Sequence, residues 1–247
     1  MSDDQFRDPT FHISDCTAPS TTVVAGFSSF GLAGLTAADY LVDHLGLEET
    51  GHVTAESLPS ITPFEDGTPR HHSRFFSSPD VDLTVFVNEL FLPAWAADPF
   101  ADALLDWTDG HDVSEILTLS GIPYAHGPDA HDAFYVASDD YREHLLDGID
   151  IQPMGKGFLD GINGALMYRG IESDLRTAVF ITPVHAQVPD VPAAIRLIEA
   201  FDHVYDLGVD SAPLEEFARN VEQYYQDLAA RQAEVDESQV PEDRMYM

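Results

Sequence analysis

Cysteine, lysine and long apolar runs are all scarce in this chain of 247 residues. The single cysteine, Cys16, excludes an internal disulfide and any multi-cysteine metal site. Lys156 is the one lysine among only 11 basic residues. The clustered cations that phosphate backbones or anionic lipid surfaces require are therefore missing. No apolar run approaches the ~20 residues of a membrane span. The opening residues, MSDDQFRDPT, carry acids where a secretory leader needs a basic segment. These absences point to a cytoplasmic protein with neither nucleic acid nor membrane as partner.

What fills the space is acid. There are 44 acidic residues against the 11 basic ones, a formal charge of −33. In ordinary salt such self-repulsion works against the compact state. In molar salt the Debye length falls to about 3 Å and surface charges hardly sense one another. The acids are spread along the whole chain rather than gathered in a tail, which fits a halophilic, solvated surface better than a patch for a basic partner. Apolar content of 44% fits a globular protein.

Apolar β-branched runs alternate with helical patterns. Strands are expected at 21–25, 53–58, 74–76, 83–87, 116–119, 133–137 and 178–181, several of them continuous apolar runs that suit strands covered on both faces. Helices are expected near 35–45, 99–107, 141–146, 161–168 and 191–205. In the last, Val191, Ile195, Ile198, Phe201 and Tyr205 share one face, with Asp190 as cap and Pro192 in the first turn. The fold class is α/β, a mostly parallel sheet with helices on both faces, with a small antiparallel piece around 52–78. A segment at 1–19 precedes a domain at 20–210. Leu214, Phe217, Val221, Tyr224 and Leu228 then follow a 3-4-3-4 spacing behind Ser211 and Pro213. This predicts a C-terminal helix over 211–232, packed on its own sheet or forming a seam between subunits. From 233 to 247 the period is lost, and the stretch reads as a flexible tail.

Chemistry is thin. The Gly26–Gly34 segment follows a strand and opens a helix, yet its spacing matches neither G-x-G-x-x-G nor a P-loop. Its glycines serve a tight turn or, alternatively, a small-molecule crevice at the strand ends. In the 154–164 segment, Lys156 among glycines can hold an anion, but four glycines with apolar partners favour close helix–sheet packing. His71 and His72 are adjacent, and His126 and His131 flank a turn with Asp132 beside them; none has the i, i+4 spacing of a zinc hydrolase. There is no G-x-S-x-G elbow, and Cys16 has only His12 nearby. No catalytic residue, metal or cofactor is assigned, and the chain is read as a non-enzyme.

The chain ends in Met245, Tyr246 and Met247. A hydrophobic–Tyr–any ending arises from this composition about two times in a hundred. It combines a carboxylate, an aromatic anchor and a tether, the parts of a docking peptide.

Three groups of residues in the body resemble one known family. They are Gly26-Phe27 with Gly31-Leu32-Ala33-Gly34-Leu35 and Ala37-Ala38-Asp39-Tyr40-Leu41; Gly157 with Gly161-Ile162-Asn163-Gly164 and Leu166; and Pro189-Asp190 with Ala193-Ala194-Ile195. Together they resemble the proteasome assembly chaperone family over about 20–210, departing from it at Ser28-Ser29. The resemblance implies a nucleoside phosphorylase-like α/β sheet and a homo-oligomer. It also implies an ATP-independent role on the core proteasome, as assembly chaperone or gate-acting partner. In that motif the tail enters pockets between adjacent α subunits: Met245 is the hydrophobic anchor, Tyr246 packs at the pocket mouth and Met247 carries the carboxylate. Other readings are an enzyme or binding protein using the Gly26–Gly34 crevice, and a scaffold whose tail docks on its own neighbours.

Overall fold

The computed structural model describes residues 9–14, 19–123, 131–185, 189–216 and 218. The chain divides into two units, Met1–Asp210 and Ser211–Met247. In the first, the strands are β1 (Thr10–Ile13), β2 (Thr22–Phe27), β3 (Glu48–Glu56), β4 (Phe64–Glu65), β5 (Thr68–Pro69), β6 (Ser73–Ser78), β7 (Val81–Asn88), β8 (Glu115–Pro123), β9 (Phe134–Ala137), β10 (Gln152–Pro153) and β11 (Arg176–Val184). The helices are α1 (Ala33–His44), α2 (Ala94–Gly110), α3 (Asp139–Leu145), α4 (Gly161–Ile171) and α5 (Val191–Tyr205).

Nine strands form one sheet in the order β1-β3-β6-β7-β2-β8-β11-β9-β10. The central strands β7, β2, β8 and β11 run parallel, as the continuous apolar runs predict. β1, β3 and β6 extend the sheet antiparallel on one side, and β9 joins β11 antiparallel on the other. The sheet is thus mixed, with a parallel centre. Burial explains the order: every residue of β2 is buried, because helices cover both faces.

Successive residues of β2 point to opposite faces. Val23, Ala25 and Phe27 join a core with Phe100, Leu104 and Trp107 of α2 and Leu166 of α4, and Phe27 meets Phe100 edge-on at 6.0 Å. Gly26, between them, faces Ala38 of α1. Helix α1 packs with α5, and α2 packs with α4.

Some boundaries differ from the periodicity. α2 begins at Ala94, five residues ahead of Pro99, which sits inside the helix rather than at its start. β1 lies in the stretch read as preceding the domain, with Phe11 buried and 4.9 Å from Phe100. α5 keeps its predicted bounds: Asp190 accepts from the Ala193 N–H at 3.0 Å, and Pro192 occupies the first turn.

The end of the sheet where β8 starts is closed by paired polar groups. Glu115, buried, accepts from Thr22 Oγ1 at 2.7 Å and the Tyr205 hydroxyl at 3.2 Å, and Arg176 Nε lies 3.3 Å away. The Tyr141 and Tyr205 hydroxyls are 2.9 Å apart. Burial pushes both above the ordinary phenol range, so they stay neutral.

In the second unit a helix starts at 212–216, where the Leu214 and Glu215 N–H groups donate to the Ser211 carbonyl at 3.0 Å each. The remainder of the helix expected over 211–232, and the tail from 233 to 247, lie outside the described residues apart from residue 218.

Candidate functional site

Helix α1 leaves β2 toward one face of the sheet, while α2 leaves the neighbouring β7 toward the other. A crevice opens at the carboxyl ends of strands where helices diverge in this way, and ligands of α/β sheets bind there. Here it encloses about 610 Å³ between the segments following β2 and β7, the end of β8 and the start of α4.

The lining is apolar, with a few polar atoms. Phe30, Phe91 and Phe158 stand at it largely exposed, Phe158 completely so. Ser29 Oγ and Asn163 Oδ1 are buried with no hydrogen-bond partner among the described residues, while Asn163 Nδ2 donates to Ser120 Oγ at 2.9 Å. Asp160 is the single ionisable side chain among the described lining residues. The arrangement suits an apolar group carrying hydrogen-bond donors; it supplies no paired acid and base for proton transfer.

The glycine turn builds one wall. A Cβ on Gly34 would collide with the Leu119 carbonyl, and one on Gly26 with the Gly34 carbonyl and, at 2.5 Å, Ala38. These glycines let α1 lie directly on β2 and β8. Gly31 has φ +66°, and Leu32 follows with φ +51°, a left-handed conformation that costs a branched side chain about 1–2 kcal/mol. The turn is held from outside: the Asp190 N–H donates to the Gly31 carbonyl at 2.8 Å.

Asp190 is itself well fixed. Its carboxylate accepts from the His185 N–H at 2.8 Å, from the His185 ring at 2.8 Å and from Ala193 N–H. Burial raises its pKa, but these hydrogen bonds outweigh it and hold the carboxyl below the usual range. The three family-like motifs, far apart in sequence, therefore converge: Gly31, Pro189 and Asn163 all line one crevice.

Close packing across 154–164 is corrected in part: a Cβ on Gly164 would lie 2.5 Å from the Leu159 carbonyl, whereas one on Gly155, Gly157 or Gly161 would have nothing within 4 Å. His131 stands edge-on to His185 at 6.0 Å, and His126 lies outside the described residues. Cys16 and Met245, Tyr246 and Met247, the residues expected to dock, also lie outside them. The aromatic rim has no signature in the sequence, because Phe91 and Phe158 sit in connections without periodicity. No helix among the described residues is long and apolar enough to cross a membrane.

Solved structures share this architecture. The chain is similar to Pyrococcus furiosus PbaA, an archaeal homolog of proteasome-assembly chaperone, at 18% identity with a TM-score of 0.83, over 94% of this chain and 96% of that one. It is similar to P. furiosus PbaB, an archaeal proteasome activator, at 17% identity and TM-score 0.74, over 91% and 100%. A Thermoplasma acidophilum protein of unknown function gives 25% identity and TM-score 0.73, over 92% of each chain. No curated protein matches the sequence significantly. Residues 23–229, spanning the glycine turn, the crevice and α5, match the PAC2 family, and the chain belongs to that family.

Proposed function

We propose that this chain is a non-catalytic, ATP-independent proteasome-binding factor of the cytoplasm, an assembly chaperone or gate-acting partner. It works as a homo-oligomer and docks its C-terminal tail into pockets between adjacent α subunits of the core particle. The carrying observation is a PAC2 body, folded like PbaA and PbaB, on a chain that ends in Met245, Tyr246 and Met247. Met245 is the apolar anchor, Tyr246 packs at the pocket mouth and Met247 presents its carboxylate to a cation. Several tails on one oligomer raise avidity through effective concentration, so each peptide can bind weakly. The test is co-sedimentation with core particle in molar KCl. Full-length protein is expected in the particle fractions and the chain lacking 245–247 is not; equal recovery of both would sink the proposal.

A second reading rests on the crevice. Ser29 Oγ and Asn163 Oδ1, buried and unpartnered among the described residues, favour a small ligand with donor groups. A nucleoside that raises the melting temperature of the wild type, but not of Asn163→Leu, would support it. No shift with a nucleoside in the wild type counts against it.

A further inference from the structure

The antiparallel flank carries a cluster that neither the crevice nor the tail uses. β3 pairs with β6 through Glu49↔Phe76, Gly51↔Phe75 and His52↔Arg74, so Thr50 is an extra residue in a bulge. In a regular strand, residues three apart point to opposite faces. The bulge absorbs one position and brings Glu49 and His52 to the same face. His71, two residues ahead of β6, lies over His52 with ring centroids 3.5 Å apart and planes within 6°. One ligand atom from each of Glu49, His52 and His71 lies within 4.8 Å of the others.

His52 is oriented from behind. Ser14 Oγ accepts the His52 N–H at 2.8 Å and donates its proton to the His52 carbonyl at 3.0 Å. It lies 3.2 Å from His52 Nδ1. With that single hydroxyl proton used on the carbonyl, the network fits the tautomer in which Nδ1 is protonated and donates to Ser14. This leaves Nε2 with its lone pair available. A partner fixing the remote ring nitrogen is what metal-binding histidines have.

We infer that Glu49, His52 and His71 form a binding site for one divalent first-row transition-metal ion of the zinc class. Two imidazoles with one carboxylate favour such an ion over Mg²⁺ or Ca²⁺, which take oxygen ligands. Three protein ligands leave a fourth position for water or another donor. In the stack the two ring planes are nearly parallel, so their lone pairs run side by side. His71 is exposed and turns to converge on the ion. Arg74 faces the same carboxylate at 3.8 Å, but it also reaches Glu89 at 3.7 Å and keeps that partner when Glu49 turns away. His72 is engaged elsewhere, with Nδ1 2.6 Å from Ser73 Oγ. An ion here clips β3 to the approach to β6 and, through Ser14, to the end of β1. None of the three ligands lines the crevice.

The test uses full-length protein stripped with EDTA, in molar KCl so that exposed carboxylates are screened. Co²⁺ is titrated and read by visible absorption, with Zn²⁺ as competitor. The expected result is a single ion per chain with the intense bands of a low-coordinate nitrogen-ligated site. His52→Ala and His71→Ala each weaken binding at least about tenfold, and Ser14→Ala weakens it by a comparable or smaller factor. His71 is exposed, so its variant should melt like the wild type without metal, which separates lost binding from lost folding. A weak octahedral, all-oxygen cobalt spectrum would overturn the site. So would equal stoichiometry and affinity in the wild type and His71→Ala.

Discussion

Two glycine-rich segments border the same crevice, and they use glycine in opposite ways. In Gly26–Gly34 the missing side chains are filled by backbone: a Cβ on Gly26 or Gly34 would overlap a carbonyl of α1 or β8. In 154–164, Gly155 and Gly157 face open space, and only Gly164 is closely packed. The first segment fixes a helix on the sheet, whereas the second is a covering with room around it. Glycine content alone therefore does not mark a ligand loop, since one segment is a packing device and the other a largely unconstrained wall.

Gly34→Ala gives the largest effect expected from this contrast. Its Cβ meets the Leu119 carbonyl, which cannot move without disturbing β8, and overpacking of this kind costs about 3 kcal/mol. Urea unfolding should show a lower midpoint at unchanged slope. Gly26→Ala should cost about 2–3 kcal/mol, and the double variant less than the sum, because both collisions push the start of α1 away from the sheet. Strictly additive losses would mean the two glycines act separately.

Asp190→Ala removes the α5 cap and the His185 contact, for about 1–2 kcal/mol. The sign of its pH dependence follows from the depressed pKa. A carboxylate more acidic in the folded chain stabilises above its unfolded pKa, and that contribution is lost as pH falls through the folded value. The gap between wild type and Asp190→Ala should narrow below about pH 4. A gap that widened on acidification would contradict the hydrogen-bond account.

The smaller effects lie in the open segment. Gly164→Ala sets a new clash with the Leu159 carbonyl, in a connection that gives more readily than β8, against better helix propensity, and should cost about 1–2 kcal/mol. Gly157→Ala should be neutral or stabilising by up to about 1 kcal/mol, through the unfolded chain. A large loss at Gly157 would show that the second segment is as tightly used as the first.

Legibility followed how local the determinant was. α5 was readable to the residue because its cap, its proline and its apolar face lie within one stretch. The parallel centre was readable because β2, β8 and β11 carry near-continuous apolar stretches, broken mainly by threonine and serine. β1 was missed because four residues, TFHI, with only Phe11 buried, give no period. The bulge at Thr50, and with it the meeting of Glu49, His52 and His71, depends on register between two strands. The convergence of Gly31, Pro189 and Asn163 likewise depends on three separate crossovers. Met245, Tyr246 and Met247 are the reverse case: the sequence singles them out as a docking motif, and they lie outside the described residues.

The central claim is tested most directly by equilibrium binding of the full chain to intact core particle in molar KCl, wild type against Tyr246→Ala. The account predicts saturable binding by the wild type and at least about a tenfold loss in the variant, the loss of a buried aromatic anchor. Equal affinity of the two chains, or no binding by the wild type, would contradict it.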